Sequence, residues 1–153
     1  MARAGENMLF VDRVADHVAA MNEPGLRISG PIAEFTTPVR AVTDDAVEGA
    51  FDTVFLCVKG QDTVAAVEAL NEPVIADLIG VERTVGAFIN FGADYHGAGH
   101  IFYGGRSAVV VGEVDNSIRP RTERLHRLLK IFEENAILTD NISGYLWSKM
   151  GYI

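Results

Sequence analysis

Cysteine is almost missing from this sequence: Cys57 stands alone among 153 residues. One thiol cannot close an internal disulfide, so Cys57, inside the apolar run TVFLCVKG, reads as a small core residue of a protein from a reducing, cytoplasmic setting. Positive charge is also in short supply, with 13 Lys and Arg against 21 Asp and Glu and a formal charge of −8. Proteins that hold nucleic acid regardless of sequence carry a basic surface to displace counterions, so that class is set aside. Apolar runs stay short. None reaches the roughly 18 residues a membrane span needs, and no charged-then-apolar leader is seen, so neither a span nor a signal peptide is expected. Repeats and low-complexity segments do not occur. What is present, 48% hydrophobic and 22% charged residues, is the composition of a globular domain with a core.

Punctuation by Gly, Pro and polar clusters divides the chain into alternating elements. MARAGEN reads as the end of a helix, with Gly5 at a left-handed cap, and NMLFVD follows as a short buried strand. VADHVAAMNE spaces Val14, Val18 and Met21 on one helical face and stops at Pro24-Gly25. LRIS and the stretch around PVRAV read as short strands. Thr53 to Val58 is a continuous β-prone run of the kind buried on both faces of a parallel sheet, and it ends at Lys59-Gly60. Gln61 or Asp62 can cap a helix through TVAAVEAL, and TVGAFINFG supplies another strand. HIFYGG and SAVVVGE read as strands joined through Gly104, Gly105 and Arg106. Residues 117 to 135 form a helix with Leu125, Leu128, Leu129 and Phe132 on one face and Pro120 in its first turn. ILTD is extended, and NISGYLWSKMGY is a final helix capped by Asp140 or Asn141. Strands alternating with helices define an α/β fold with a mostly parallel sheet.

Four clusters invite a chemical reading. FVDR places Asp12 at a strand end; in dinucleotide-binding folds such an acid binds the adenosine ribose about 20 residues after a glycine-rich turn, although a plain helix cap is the commoner role. Counting back about 20 residues from Asp12 passes Met1, and no GxGxxG or GxxxxGK[ST] occurs elsewhere. His96 and His100 in HGAGH have metal-pair spacing, but the glycines between them disfavour a helix and no third ligand type clusters nearby, so no metal site is expected. Arg119, Arg121, Arg124, Arg127 and Lys130 read as a solvated basic face. Cys57, Lys59 and Asp62 assemble no nucleophile triad. The final helix carries an anomaly: at about 100° per residue from Ile142, Lys149 falls near −20°, inside the apolar arc of Tyr145, Leu146 and Met150. A lysine there snorkels out or faces something that wants its charge.

FLCVKGQDT at 55–63, FINFG at 88–92 and DNISGYLWSKMGY at 140–152 together resemble the ketopantoate reductase (2-dehydropantoate 2-reductase) family, in the same order and over nearly the whole chain. The resemblance implies a Rossmann-type, doubly wound domain over residues 1–140 and the first helix of an all-α domain over 141–153. It also implies NADPH-dependent reduction of a 2-keto acid, ketopantoate in pantothenate biosynthesis. By position Lys149 matches the catalytic lysine, Asn90 the asparagine that touches cofactor and substrate, Lys59 the lysine ending the fourth strand, and Arg13 the residue facing the adenosine 2′-phosphate. An ammonium suits that chemistry, because hydride delivery to a keto carbon develops negative charge on its oxygen.

Phe91 separates Asn90 from Gly92 where the family commonly has Asn-Gly, and Ile153 stands where another substrate-contacting asparagine usually lies. Asp12 favours a free ribose hydroxyl, which admits NAD beside NADP. Against the family pattern the sequence looks like a middle piece, without the glycine loop, the first strand and most of the helical domain, and residues 1–153 alone are expected to be inactive. The absent strand would lie between the strands ending at Asp12 and Val58, so exposed sheet edges are expected. Two other readings stay open on the residues alone: a non-catalytic interaction or signalling domain of flavodoxin-like type, and a methyltransferase-like nucleotide-binding domain.

Overall fold

A computed structural model describes residues 1–49, 51–57, 80–105 and 107–150. The expected helix through TVAAVEAL and the strand end at Val58-Lys59 lie outside the described residues. The order of elements is β1 (Leu9–Val11), α1 (Ala15–Asn22), β2 (Leu26–Ser29), β3 (Phe35–Thr37), β4 (Arg40–Val42), β5 (Val85–Asn90), β6 (Ala93–Gly97), β7 (His100–Tyr103), β8 (Ala108–Glu113), α2 (Pro120–Phe132), β9 (Ile137–Leu138) and α3 (Ile142–Met150). The chain is an α/β protein with mixed, open sheets in three groups, ordered β1-β4, β3-β2-β7-β6 and β5-β8-β9.

Two compact units form. The first combines Met1–Gly49, Ile89–Val109 and Arg127–Ala136. Here β1 lies parallel to β4, with Phe10 opposite Ala41, and α1 buries Val18 and Met21 against Ala41, Phe10, Leu26 and Val39. Of the expected face Val14, Val18 and Met21, the last two are buried, while Val14 sits at the N-cap and is 49% exposed. Asn22 ends α1 and serves β4 as a substitute strand: its side-chain oxygen accepts the Ala41 N–H at 2.9 Å while its amide donates to the Ala41 carbonyl at 2.9 Å. β7 pairs parallel with β2 and antiparallel with β6. Strands β3 and β6 escaped the sequence reading because FTT and ADYHG are short and mostly polar on both faces, and only the neighbouring strand makes them extended. Gly5 takes the left-handed conformation, φ 87°, that closes the opening turn at Ala2–Ala4.

The second unit combines Ala50–Phe88, Val110–His126 and Ile137–Ile153. Val110 and Val111 of β8, each 2% exposed, pair with Ile137 and Leu138 of β9. Ile142, in the first turn of α3, is 1% exposed because two glycines leave room for it. A Cβ on Gly86 would lie 2.8 Å from Ile142, and one on Gly112 would lie 2.6 Å from the Thr139 carbonyl oxygen. Asn141 caps α3 through the Gly144 N–H, as expected from the sequence.

Two expectations fail. Residues 53–57 form no strand, and Cys57 is exposed rather than part of the core. A β-prone run becomes a strand only where a neighbouring strand or packed face receives it, and among the described residues none pairs with this one. Phe51, Val54, Phe55 and Leu56 therefore stand 39–69% exposed. Residues 1–153 should self-associate through this stretch. Static light scattering of Phe55→Lys at equal concentration should fall well below that of the parent while the far-UV spectrum is preserved; unchanged scattering would locate the sticky surface elsewhere.

Candidate active site

Asp12 follows the last residue of β1. Its N–H extends the β1–β4 ladder by donating to the Val42 carbonyl at 3.2 Å, and its Oδ1 accepts the Val14 N–H at 2.8 Å. One carboxylate oxygen thus shapes the turn leading to α1, whose N-cap is Val14 without a side-chain cap bond, and a carboxylate retains acceptor capacity on the other. Arg13 is exposed directly beside it. This pair occupies the C-terminal end of a parallel strand, where α/β sheets place their ligands.

Asn90 ends β5 and is exposed. The residues after it turn back at once: Phe91 packs edge-on to Tyr103 and Phe132, with ring centroids 5.8 and 5.7 Å away, and the Gly104 N–H donates to the Gly92 carbonyl at 2.8 Å. Phe91, the departure from the family's Asn-Gly pair, therefore acts as an anchor for the chain leaving Asn90. Lys149 lies in the last turn of α3. On the apolar arc it shares, Ile142 is buried and Leu146 is 42% exposed; Trp147, off that arc, is 71% exposed. Phe88 contacts Tyr145 at 6.0 Å between ring centroids, tying β5 to the middle of α3. Lys59 lies outside the described residues. Asp12, Arg13 and Asn90 belong to the first unit and Lys149 to the second.

The sequence reading missed the strongest electrostatic feature. Glu113, at the end of β8, is 1% exposed. Arg121 grips both of its oxygens, through Nε at 2.8 Å and through Nη2. The Thr122 hydroxyl donates to Glu113 Oε1, and Arg119 adds a contact at 3.7 Å. Arg121 further donates to the Thr84 carbonyl at 3.4 Å, just ahead of β5. These hydrogen bonds, led by that from Arg121, hold the Glu113 carboxyl below the usual glutamate range against the opposing effect of burial, and raise Arg121 in turn. Arg121 is thus not part of a solvated basic face, because a buried carboxylate recruits it, and Arg119 pairs chiefly with the exposed Asp115. An acid ending the run AVVVGE, with RPRT a few residues on, was the available signal. Among the described residues no group of three or more metal-ligating side chains forms, and no helix is long and apolar enough to cross a membrane.

The β–α units and the parallel pairing of β1 with β4 define the class of a Rossmann-like α/β domain. The family model for ketopantoate reductase PanE/ApbA matches residues 1–77, half of the chain, and the chain belongs to that family. A curated 2-dehydropantoate 2-reductase of Pyrococcus abyssi is 26% identical over 164 residues, covering 97% of this chain and 54% of that protein. The crystal structure of 2-dehydropantoate 2-reductase from Geobacter metallireducens is similar with a TM-score of 0.85 at 21% identity, covering 99% of this chain and 56% of the other. D-mandelate dehydrogenase in ternary complex with NADH and anilino(oxo)acetate shares the fold with a TM-score of 0.79 at 20% identity, over 97% and 54% of the two chains. The chain spans about half the length of the curated relatives it matches. Family membership sets aside the signalling-domain and methyltransferase readings.

Removing one partner of the buried pair should be costly. Arg121→Ala leaves a carboxylate out of water with its main neutralising group gone, and should lower unfolding free energy by roughly 3 kcal/mol in denaturant titration. The sign with pH follows from the depressed Glu113: its contribution is complete above the ordinary glutamate value and is lost as pH falls through the lower folded value. Glu113→Gln should flatten that part of the acid limb.

Proposed function

We propose that this chain is the dinucleotide-binding part, residues 1–140, and the first helix of the helical part, residues 141–153, of a cytoplasmic reductase that reduces a 2-keto acid with a nicotinamide dinucleotide. Ketopantoate is the proposed substrate and pantothenate biosynthesis its setting. The family match over residues 1–77 carries this reading.

The residues present fit the adenosine end of such a cofactor. Asp12 keeps acceptor capacity beyond its bond to Val14, as vicinal ribose hydroxyls require, and exposed Arg13 beside it offers a guanidinium for a 2′-phosphate. Within residues 1–153 no GxGxxG supplies backbone amides for the pyrophosphate, so these residues alone are proposed to bind dinucleotide weakly and to be inactive. Lys59 and Asn90 are the further proposed contacts to the cofactor, Asn90 also touching substrate. NADPH is the proposed cofactor. Asp12 supports NADH as a second reading, and NADH is what the structurally similar D-mandelate dehydrogenase holds.

When bound, the reduced nicotinamide supplies the hydride that attacks the keto carbon. The protein's share is electrostatic and protonic: Lys149 holds a proton at Nζ, offsets the negative charge growing on the keto oxygen, and delivers the proton to it. Asn90 orients the reacting groups by hydrogen bonding.

The test is steady-state kinetics on the full gene product with ketopantoate and either cofactor; no turnover with either would overturn the proposal. Lys149→Met keeps the aliphatic stem and removes the charge. It should cut kcat by about two to four powers of ten with cofactor affinity nearly unchanged, whereas parental turnover would make Lys149 a snorkelling residue.

Arg13→Ala should weaken NADPH more than NADH, since only the 2′-phosphate uses the guanidinium. Equal losses in calorimetric titrations would remove Arg13 from that role.

A further inference from the structure

Three of the four histidines in the sequence converge on the turn between β6 and β7. On its inner side the Gly99 N–H donates to Nδ1 of His17 at 2.8 Å, a buried bond from the turn to α1. A backbone N–H can only donate, so Nδ1 must be bare and the proton of neutral His17 must sit on Nε2. The Gly99 carbonyl accepts the Arg27 N–H at 2.7 Å, which ties the same residue to β2. The approach is close: a Cβ on Gly99 would lie 2.9 Å from that of Ala20, and the residue sits at φ 69°. Gly99 thus holds α1 and β2 together through one peptide group on each side.

The opposite face of the turn carries the other two imidazoles. His100 Nε2 is 2.7 Å from the Ser29 hydroxyl, and its ring centroid is 5.3 Å from that of His96. His96 in turn stacks on Phe102 at 5.0 Å. Arg27 on β2 pairs in register with His100 and bridges to Glu34 at 3.6 Å.

We propose that the Gly97–His100 turn is a pH-sensitive latch, closed while His17, His96 and His100 are neutral and opened when they take up protons. A proton on Nδ1 of His17 abolishes the acceptor that holds the Gly99 N–H. Protons on His96 and His100 place two like charges in contact, with the Arg27 guanidinium a third. The negative groups nearby are few. Glu34 is engaged by Arg27, Asp94 lies on β6 two residues before His96, and Asp16 precedes His17 on α1; all three carboxylates are exposed. Facing His17 from β6 is Tyr95, a neutral ring 5.2 Å away. Desolvation, then Arg27 and His96, hold His100 below the ordinary imidazole value. The sign follows: its stabilising contribution is present above that ordinary value and is lost as pH falls through the lower folded one. Because the hairpin base closes at Gly92, two residues after Asn90, opening the turn also loosens the chain that leaves Asn90.

The test is amide exchange of the chain at pH 7.5 and 5.5, on either side of the ordinary imidazole value of about 6.5. Protection of Gly99, corrected for the intrinsic exchange rate, should fall about tenfold. Val110 and Val111 of β8 should keep their protection. His17→Asn, whose Oδ1 can accept the Gly99 N–H at any pH, should lose most of the dependence. Should that variant not fold, the imidazole nitrogen resonances of the parent at pH 7.5 decide: a bare Nδ1 on His17 supports the latch, and a protonated Nδ1 overturns it. Gly99 protection that is constant with pH, or lost in step with β8, overturns it as well.

Discussion

Withdrawing the Glu113 carboxylate from water constrains the second unit more than any apolar contact does. A lone buried carboxylate would cost several kcal/mol, so it is tolerable only if donors arrive with the right geometry. Arg121 and Thr122 provide them from the first turn of α2. That requirement fixes where α2 begins relative to the end of β8, and through the Thr84 carbonyl it reaches the residue before β5. Next to Glu113, Gly112 leaves the space in which Thr139 and Ile142 set the first turn of α3. Strand end, helix start and the helix bearing Lys149 are thereby set around one charge.

The first unit is built on a different economy. Its buried core is small, Val18, Met21 and Ala41 with partly buried neighbours, and side-chain bonds to backbone supplement it. Asn22 satisfies both polar groups of Ala41, His17 receives the Gly99 amide, and Asp12 receives that of Val14. Such ties leave few backbone groups unpaired where packing is thin. They also make α1 the common support of β4, of the β6–β7 turn and of the turn that presents Asp12 and Arg13. Asp12 closes its turn with one carboxylate oxygen and keeps acceptor capacity on the other.

Family membership and fold agree on a Rossmann-like oxidoreductase lineage, and the named candidates suit it chemically. Asp12 directly follows a strand and Asn90 ends one, at positions where α/β folds gather ligands. Lys149 shares a helix whose exposed Leu146 and Trp147 sit beyond the buried first turn. Phe91, packed on Tyr103 and Phe132, explains how a bulky residue follows Asn90 without lengthening the turn.

Periodicity and caps were legible from residues alone. The stripe of Val18 and Met21, the Asn141 cap, the left-handed Gly5 and the strands β2, β5, β7 and β8 all follow from local side-chain spacing and backbone preference, which act over a few residues. The family likeness was legible in FLCVKGQDT, FINFG and DNISGYLWSKMGY, and the family model matches over the first of them. Strands β3 and β6 were not legible, and neither was the fate of Thr53 to Cys57, because extended structure depends on a partner that can come from anywhere in the chain. The roles of Arg119 and Arg121 were hidden for a related reason. A basic helix start looks solvated until the carboxylate that ends the preceding strand is buried against it, and burial is a property of the packed chain. So the sequence by itself determined the local elements and the family, and tertiary structure decided which strands found neighbours and which charges found partners, since hydrogen-bond pairing and desolvation exist only once remote segments meet.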